Sequence, residues 1–202
     1  MNDSSALSDR ILDAALTCVA RVGVAKTTLD DVAREAGCAR ATVYRSFPGR
    51  VALFRALLDR EVAAVAAGAL LAAAETDTLA DAVCAVMRIG ADTFRTHAAL
   101  GFVLAHEPEL VAPQLSFERG SALLLAAADL VAPAFTRFLP ADRAARLGEW
   151  VARLTLSYLC DPSDYVQLDD PAQVRELVDA FVVPGITRTS ALATSSTEGA
   201  SQ

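Results

Sequence analysis

Apolar residues recur at intervals of three and four along almost the whole chain. Ile11, Leu12, Ala15, Leu16 and Val19 make the first stripe, which predicts a helix from Ser8, read as its N-cap, to about Val22, with Gly23 as its stop. A second helix is expected from Thr28, where Thr28-Leu29-Asp30-Asp31 has the form of a capping box with Asp in the Glu position, to Gly37. A third, short one runs from about Arg40 to Phe47, where Pro48-Gly49 breaks it. Val51, Phe54, Leu58, Val62 and Val65 carry a fourth into the mid-70s.

The later stripes are longer. Leu79, Val83, Met87, Gly90 and Phe94 predict a helix through Thr96, and a shorter segment from Ala98 to Ala105 stops before Pro108. Another helix is expected after Pro113 with Leu123, Leu124, Leu130 and Val131, broken or kinked near Ala132 by Pro133. Pro140 reads as the first-turn proline of a helix holding Leu147, Trp150, Val151, Leu154 and Tyr158. A last helix is expected from Pro171, with Val174, Leu177, Val178 and Phe181, ending at Val183-Pro184-Gly185. No stretch alternates with period two for long enough to suggest a sheet. The predicted fold is all-α: a three-helix head with a helix-turn-helix over residues 1–50, a larger helical domain over 51–186, and a small, polar, disordered tail over 187–202.

Composition narrows the class. The chain has 202 residues, 53% of them apolar, which is too many for a disordered protein. The uncharged stretch between Glu61 and Glu75 is shorter than the roughly 20 residues a bilayer span needs, so no membrane association is expected. The N-terminal decapeptide has no basic region followed by an apolar run, so the expected compartment is the cytoplasm. Cys18, Cys38, Cys84 and Cys160 are widely separated, and His97 and His106 have no nearby cysteine, so neither zinc ligation nor any cofactor is expected. Buried thiols are the ordinary reading, with a redox-responsive cysteine as an alternative.

Net charge is -7, which at first argues against a nucleic-acid partner. The charge is uneven, however. Residues 1–60 carry a net of +2 and the remainder a net of -9. Between Cys38 and Arg55 there are four arginines, Arg40, Arg45, Arg50 and Arg55, and no acid. A local patch of this kind can meet phosphates whatever the total charge.

The two short helices joined by Ala36-Gly37-Cys38-Ala39 form a helix-turn-helix, with Gly37 suited to the left-handed turn. The second presents Arg40, Ala41, Thr42, Tyr44, Arg45 and Ser46 on one side, with Val43 and Phe47 as the inward pair. Arginine can hold guanine O6 and N7 in a fork, Ala and the Thr methyl can touch a thymine methyl, and hydroxyls can reach phosphates or base edges.

The run from Thr27 to Gly37, followed by Ala41-Thr42-Val43-Tyr44-Arg45-Ser46-Phe47-Pro48-Gly49-Arg50 and Val51 to Phe54, resembles the DNA-binding domain of TetR-family transcriptional regulators. Phe181-Val182-Val183-Pro184-Gly185-Ile186 also resembles the close of regulatory domains in that family. The resemblance implies a homodimeric regulator, a repressor released from a palindromic operator in double-stranded DNA by a small-molecule effector. It assigns Thr28 to a phosphate, Arg40, Ala41, Thr42 and Arg45 to bases or the groove wall, and Tyr44 to backbone phosphate. Ser46 joins these on the groove-facing surface, and Arg50 stands where the family has Lys. Ala39 stands where a Ser usually caps the recognition helix, Ala41 where Gly is common, and Cys38 where a Val is common.

For the larger domain the resemblance implies an effector pocket. Met87, Phe94, Phe102, Phe117, Leu124, Trp150 and Leu154 are its candidate lining and would suit an apolar or aromatic effector. Their ordinary role is core. His97, His106 and Glu107 are the few polar groups near them and read as a helix end. Leu147, Val151, Leu154 and Tyr158, with Val174, Leu177, Val178 and Phe181, are candidates for a four-helix dimer interface. The alternative is that both stripes pack within their own subunit. An all-α enzyme is the competing class, but the chain contains no glycine-rich phosphate loop, H-E-x-x-H or G-x-S-x-G.

Overall fold

In the computed structural model of the chain, residues 3–107, 109–110, 122–161 and 163–187 are described. Helix α1 (Asp3–Lys26) is interrupted only at Gly23, whose φ of 84 and ψ of 170 are non-helical. It begins five residues before the expected cap at Ser8 because Leu7 packs on the same core as the stripe behind it. Helix α2 (Leu29–Glu35) starts at the Thr28 capping box and stops at Ala36. Gly37 then takes φ 62, the left-handed turn that leads into α3 (Arg40–Ser46). Ala39 caps α3 without a side-chain hydrogen bond, as the departure from Ser at that position predicts.

Helix α4 (Arg50–Ala74), α5 (Leu79–Thr96) and α6 (Ala98–His106) follow at the expected places. The His97 ring caps α6, its Nδ1 accepting the Leu100 N–H at 3.1 Å. Helix α7 (Ala122–Val131) gives way to a tight 3-10 turn, Ala132–Phe135, because Pro133 lacks the N–H an α-helix would use there. Pro140 stands just before α8 (Ala141–Cys160) and not in its first turn. Helix α9 (Pro171–Leu177) has Pro171 in its first turn under an Asp170 cap.

The expected stop at Val183-Pro184-Gly185 does not occur. A π-turn, Val178–Val182, follows α9, and helix continues to residue 187. The Val183 N–H reaches back to the Val178 carbonyl, so the widened turn takes up the register in which the ring of Pro184 would otherwise clash. The tail beyond residue 187, the stretch after Pro113 and Phe117 lie outside the described residues. No strand occurs among the described residues.

The chain divides into two compact units. The first comprises Met1–Ala64 and Thr93–Ala122, and the second Val65–Asp92 and Leu123–Gln202. The first unit extends past residue 50 because Leu53 and Leu57 of α4 are buried in the same core as Ile11, Ala15, Cys18, Val32 and Val43. Ala99 of α6 joins that core as well. The second unit is built around Met87, Phe135, Leu147, Val151, Val178 and Val182, all without exposed surface. Across its surface Arg175 of α9 bonds both Asp81 of α5 and, at 2.8 Å, Asp179.

This second core takes in most of the two apolar stripes of α8 and α9. Leu147, Val151, Val174, Leu177 and Val178 are all buried within their own chain. Tyr158 is half-buried on the same core, and of the stripe residues only Phe181, at 67% exposed, is broadly open. Period alone marks which face of a helix is covered; it does not say what covers it.

Candidate nucleic-acid interface

The recognition surface is held up from beneath by a few buried side chains. Val43 has no exposed surface and Phe47 almost none, so α3 is pinned to α1 and α2 along one side. The rest of the helix exposes Arg40, Ala41, Tyr44 and Arg45, with Thr42 and Ser46 half-buried. Helical periodicity thus turns Ala41, Thr42 and Arg45 away from the anchoring pair, while Arg40, three residues before Val43, is exposed at the start of the helix.

The groups differ in what they have left to offer. Arg40 donates to the Asp30 carboxylate at 2.9 Å and to the Tyr44 hydroxyl at 3.2 Å, its guanidinium lying 5.3 Å from the Tyr44 ring centre. Both partners of the ion pair are well exposed, so it contributes little and can yield to a phosphate. Tyr44 accepts from Arg40, which leaves its hydroxyl hydrogen to donate outward. Arg45 makes no hydrogen bond or ion pair among the described residues. It is the unengaged fork on the exposed side of the recognition helix.

Thr28 is already occupied. Its hydroxyl donates to Asp31 Oδ2 at 2.5 Å and accepts the Asp31 N–H at 3.2 Å, and its own N–H donates to the same carboxylate. These bonds, with Arg34 at 3.1 Å, hold the Asp31 carboxyl below the usual carboxylate range. Arg50 donates to the Val24 carbonyl and lies over the Phe54 ring at 5.3 Å. Thr28, Asp30, Arg40, Tyr44 and Arg50 together line a shallow polar depression of 380 Å³ in the head.

The described candidate effector residues divide between the two units. Met87 is fully buried in the second unit, with Trp150 and Leu154 packed half-buried against the same core. Phe94 and Phe102 belong to the first unit, where Phe102 stacks on His106 with ring centres 4.4 Å apart. The side chain of Leu124 lies outside the described residues. Among the described residues, no group of three or more His, Cys, Asp or Glu could hold a metal ion. No described helix is long and apolar enough to cross a membrane.

Sequence patterning missed two groups. Thr155 of α8 is buried, and its hydroxyl has no hydrogen-bond partner among the described residues. Glu107, read as a helix end, is 6% exposed and bonded to the backbone of residues 24 and 25. Nothing in local sequence signals either, because both depend on distant elements.

Residues 11–57 match the family model described as bacterial regulatory proteins, tetR family. That stretch is a TetR-type DNA-binding head. An uncharacterized HTH-type transcriptional regulator of Mycobacterium tuberculosis, Rv1255c, is 29% identical over 189 residues, 92% of this chain and 88% of the relative. A second, from Mycobacterium bovis, is 42% identical over 64 residues, 32% of this chain and 34% of its own length. Among solved structures, the TetR family repressor AlkX from Dietzia superposes with a TM-score of 0.68 at 19% identity, covering 90% of this chain and 95% of AlkX. FadR from Bacillus subtilis, solved with stearoyl-CoA, superposes with a TM-score of 0.54 at 16% identity, over 84% and 96% of the two chains. At those identities the likeness is one of fold. The TetR-type head, with its helix-turn-helix, makes the protein a DNA-binding transcriptional regulator and not an enzyme.

Proposed function

We propose that this protein is a cytoplasmic, homodimeric TetR-family repressor that leaves a palindromic operator when a small apolar or aromatic effector binds. The observation that carries the DNA half is the unpaired Arg45 on the exposed side of α3, opposite the buried Val43 and Phe47. In a major groove Arg45 reads guanine through a fork, while Ala41 and the Thr42 methyl meet thymine methyls. Tyr44 donates its free hydroxyl hydrogen to a phosphate, and Arg40 and Arg50 supply positive charge beside it. Thr28 serves chiefly as the cap that sets the first turn of α2. Two such heads on a C2 dimer would read half-sites about 34–36 Å apart.

The effector half rests on the second unit. Trp150, Leu154 and Met87 are apolar, and the unpartnered Thr155 hydroxyl is a polar group that a ligand could satisfy. AlkX is implicated in n-alkane biodegradation and FadR was solved with an acyl-CoA, so the fold accommodates regulators of apolar-chain chemistry. A redox-responsive cysteine has less support. Burial pushes the Cys18 and Cys84 thiols up, which lowers their thiolate fraction.

The test is selection from a random duplex pool. The protein should enrich an inverted repeat, bind it with steep salt dependence, and do so as two chains per duplex. Failure to enrich any sequence would overturn the regulator reading; enrichment of a single half-site by one chain would overturn the dimer.

A further inference from the structure

Gly23 turns the backbone out of α1, so the N–H groups of Val24 and Ala25 have no helical carbonyl to meet. Both instead meet one carboxylate. Glu107, which closes α6, accepts the Val24 N–H at Oε2 and the Ala25 N–H at Oε1, each at 2.7 Å. The carboxylate sits where a side chain at Gly23 would be: a Cβ there would lie 2.6 Å from Glu107 Oε1 and 2.7 Å from the Phe102 ring. The remaining groups of this junction are also tied down. The Gly23 carbonyl takes the Thr27 hydroxyl at 2.6 Å, and the Val24 carbonyl takes Arg50 from α4. Thr27 is buried, and Thr28 after it opens the capping box of α2.

A buried carboxylate is tolerated only where donors meet it, and here its two donors are backbone. Its position therefore fixes main chain, three residues ahead of the helix-turn-helix. We infer that Glu107 is a positioning residue, holding the α1–α2 junction in the geometry that specific DNA binding requires and making that geometry conditional on the end of α6. The inference rests on the DNA-binding reading above. It adds a residue that touches no DNA and whose displacement is read out as lost operator affinity.

The experiment uses the full chain, the duplex selected by the wild type, and a scrambled duplex of the same length. In Glu107→Gln one oxygen becomes an NH2 that faces an N–H, so one bond is replaced by opposed donors. With circular dichroism and active fraction matched to wild type, affinity for the selected duplex should fall on the order of tenfold. Affinity for the scrambled duplex, which depends on phosphate charge, should stay unchanged, as should the salt slope. Equal losses on both duplexes would show a general folding role and overturn the inference, as would no loss on either. If the variant does not fold, hydrogen exchange on the wild type decides the matter. Coupling is reciprocal, so the selected duplex should slow exchange at the Val24 and Ala25 amides, and unchanged exchange overturns the inference. A wild type that selects no duplex defeats the regulator reading and this inference with it; a wild type that selects one, matched by Glu107→Gln, defeats this inference alone.

Discussion

The side chain of Glu107 accepts the backbone N–H of Val24 at 2.7 Å across a sequence separation of 83 residues. That bond is made possible by Gly23, whose positive φ turns the amide toward it and whose missing Cβ leaves it room. The two glycines that flank α2 therefore do different work, although both have positive φ.

Gly23→Ala and Gly37→Ala should separate backbone strain from crowding. Gly37, at φ 62, has nothing within 4 Å of the place an alanine methyl would take, so its replacement should cost about 1 kcal/mol of backbone strain alone. Gly23→Ala adds overlap with Glu107 and Phe102 and should cost about 2 kcal/mol or more. Urea denaturation measures both, and equal costs would contradict the crowding at Gly23.

The capping box should show in both stability and pH response. Thr28→Ala should destabilise the protein by about 1 kcal/mol. Asp31 is held below the usual carboxylate range chiefly by the Thr28 hydroxyl, then by the Thr28 N–H. Its folded pKa is the lower one, so its contribution is complete above the unfolded value near 3.9 and is lost as pH falls through the depressed folded value. Thermal melts between about pH 5 and 2 should therefore show a shallower acid loss in Thr28→Ala than in wild type. Parallel curves would remove Thr28 as the cause.

The two arginines of the recognition helix should behave differently. Arg45 has no partner among the described residues, so Arg45→Ala should leave the melting temperature within error. It should also reduce discrimination at one base pair of the selected duplex by about 1–3 kcal/mol. Arg40→Ala also removes the Asp30 ion pair, and the acid it frees would then repel phosphate. Its loss should be spread across sequences and reduce the salt slope by about one. Competition binding with single-base variants of the duplex distinguishes the two patterns.

Leu147 tests how the second unit is held together. It is fully buried within its own chain, so Leu147→Ala should cost about 2–5 kcal/mol. Phe181→Ala, at an exposed position, should cost far less in the isolated chain. Denaturant midpoints at two protein concentrations read this out. A Leu147→Ala loss that vanished on dilution would return that residue to an intersubunit contact.

Much of the head was legible without a structure, because its signals are local. Hydrophobic spacing determined α1 to α4, Thr28 and Asp31 carried their cap in a four-residue pattern, and Gly23 and Gly37 marked the turns. The same spacing placed Val43 and Phe47 inward and so turned Ala41 and Arg45 outward. The basic stretch on α3 and the start of α4 was readable against an acidic total. Capping, turning and amphipathic spacing all act within a few residues, which is why the chain alone specifies them.

Tertiary structure decided what covers each face and which polar groups meet. It buried Leu147, Val151, Val174 and Val178 in one core, carried the last helix past Pro184 through a π-turn, and left Thr155 without a hydrogen-bond partner among the described residues. It left Arg45 free while engaging Arg40 with Asp30, ten residues earlier. It also brought Glu107 to the amides behind Gly23. The sequence marks a Gly that bends and a Glu that ends a helix, but their meeting depends on the packing of α6 on α1, which no short-range pattern encodes.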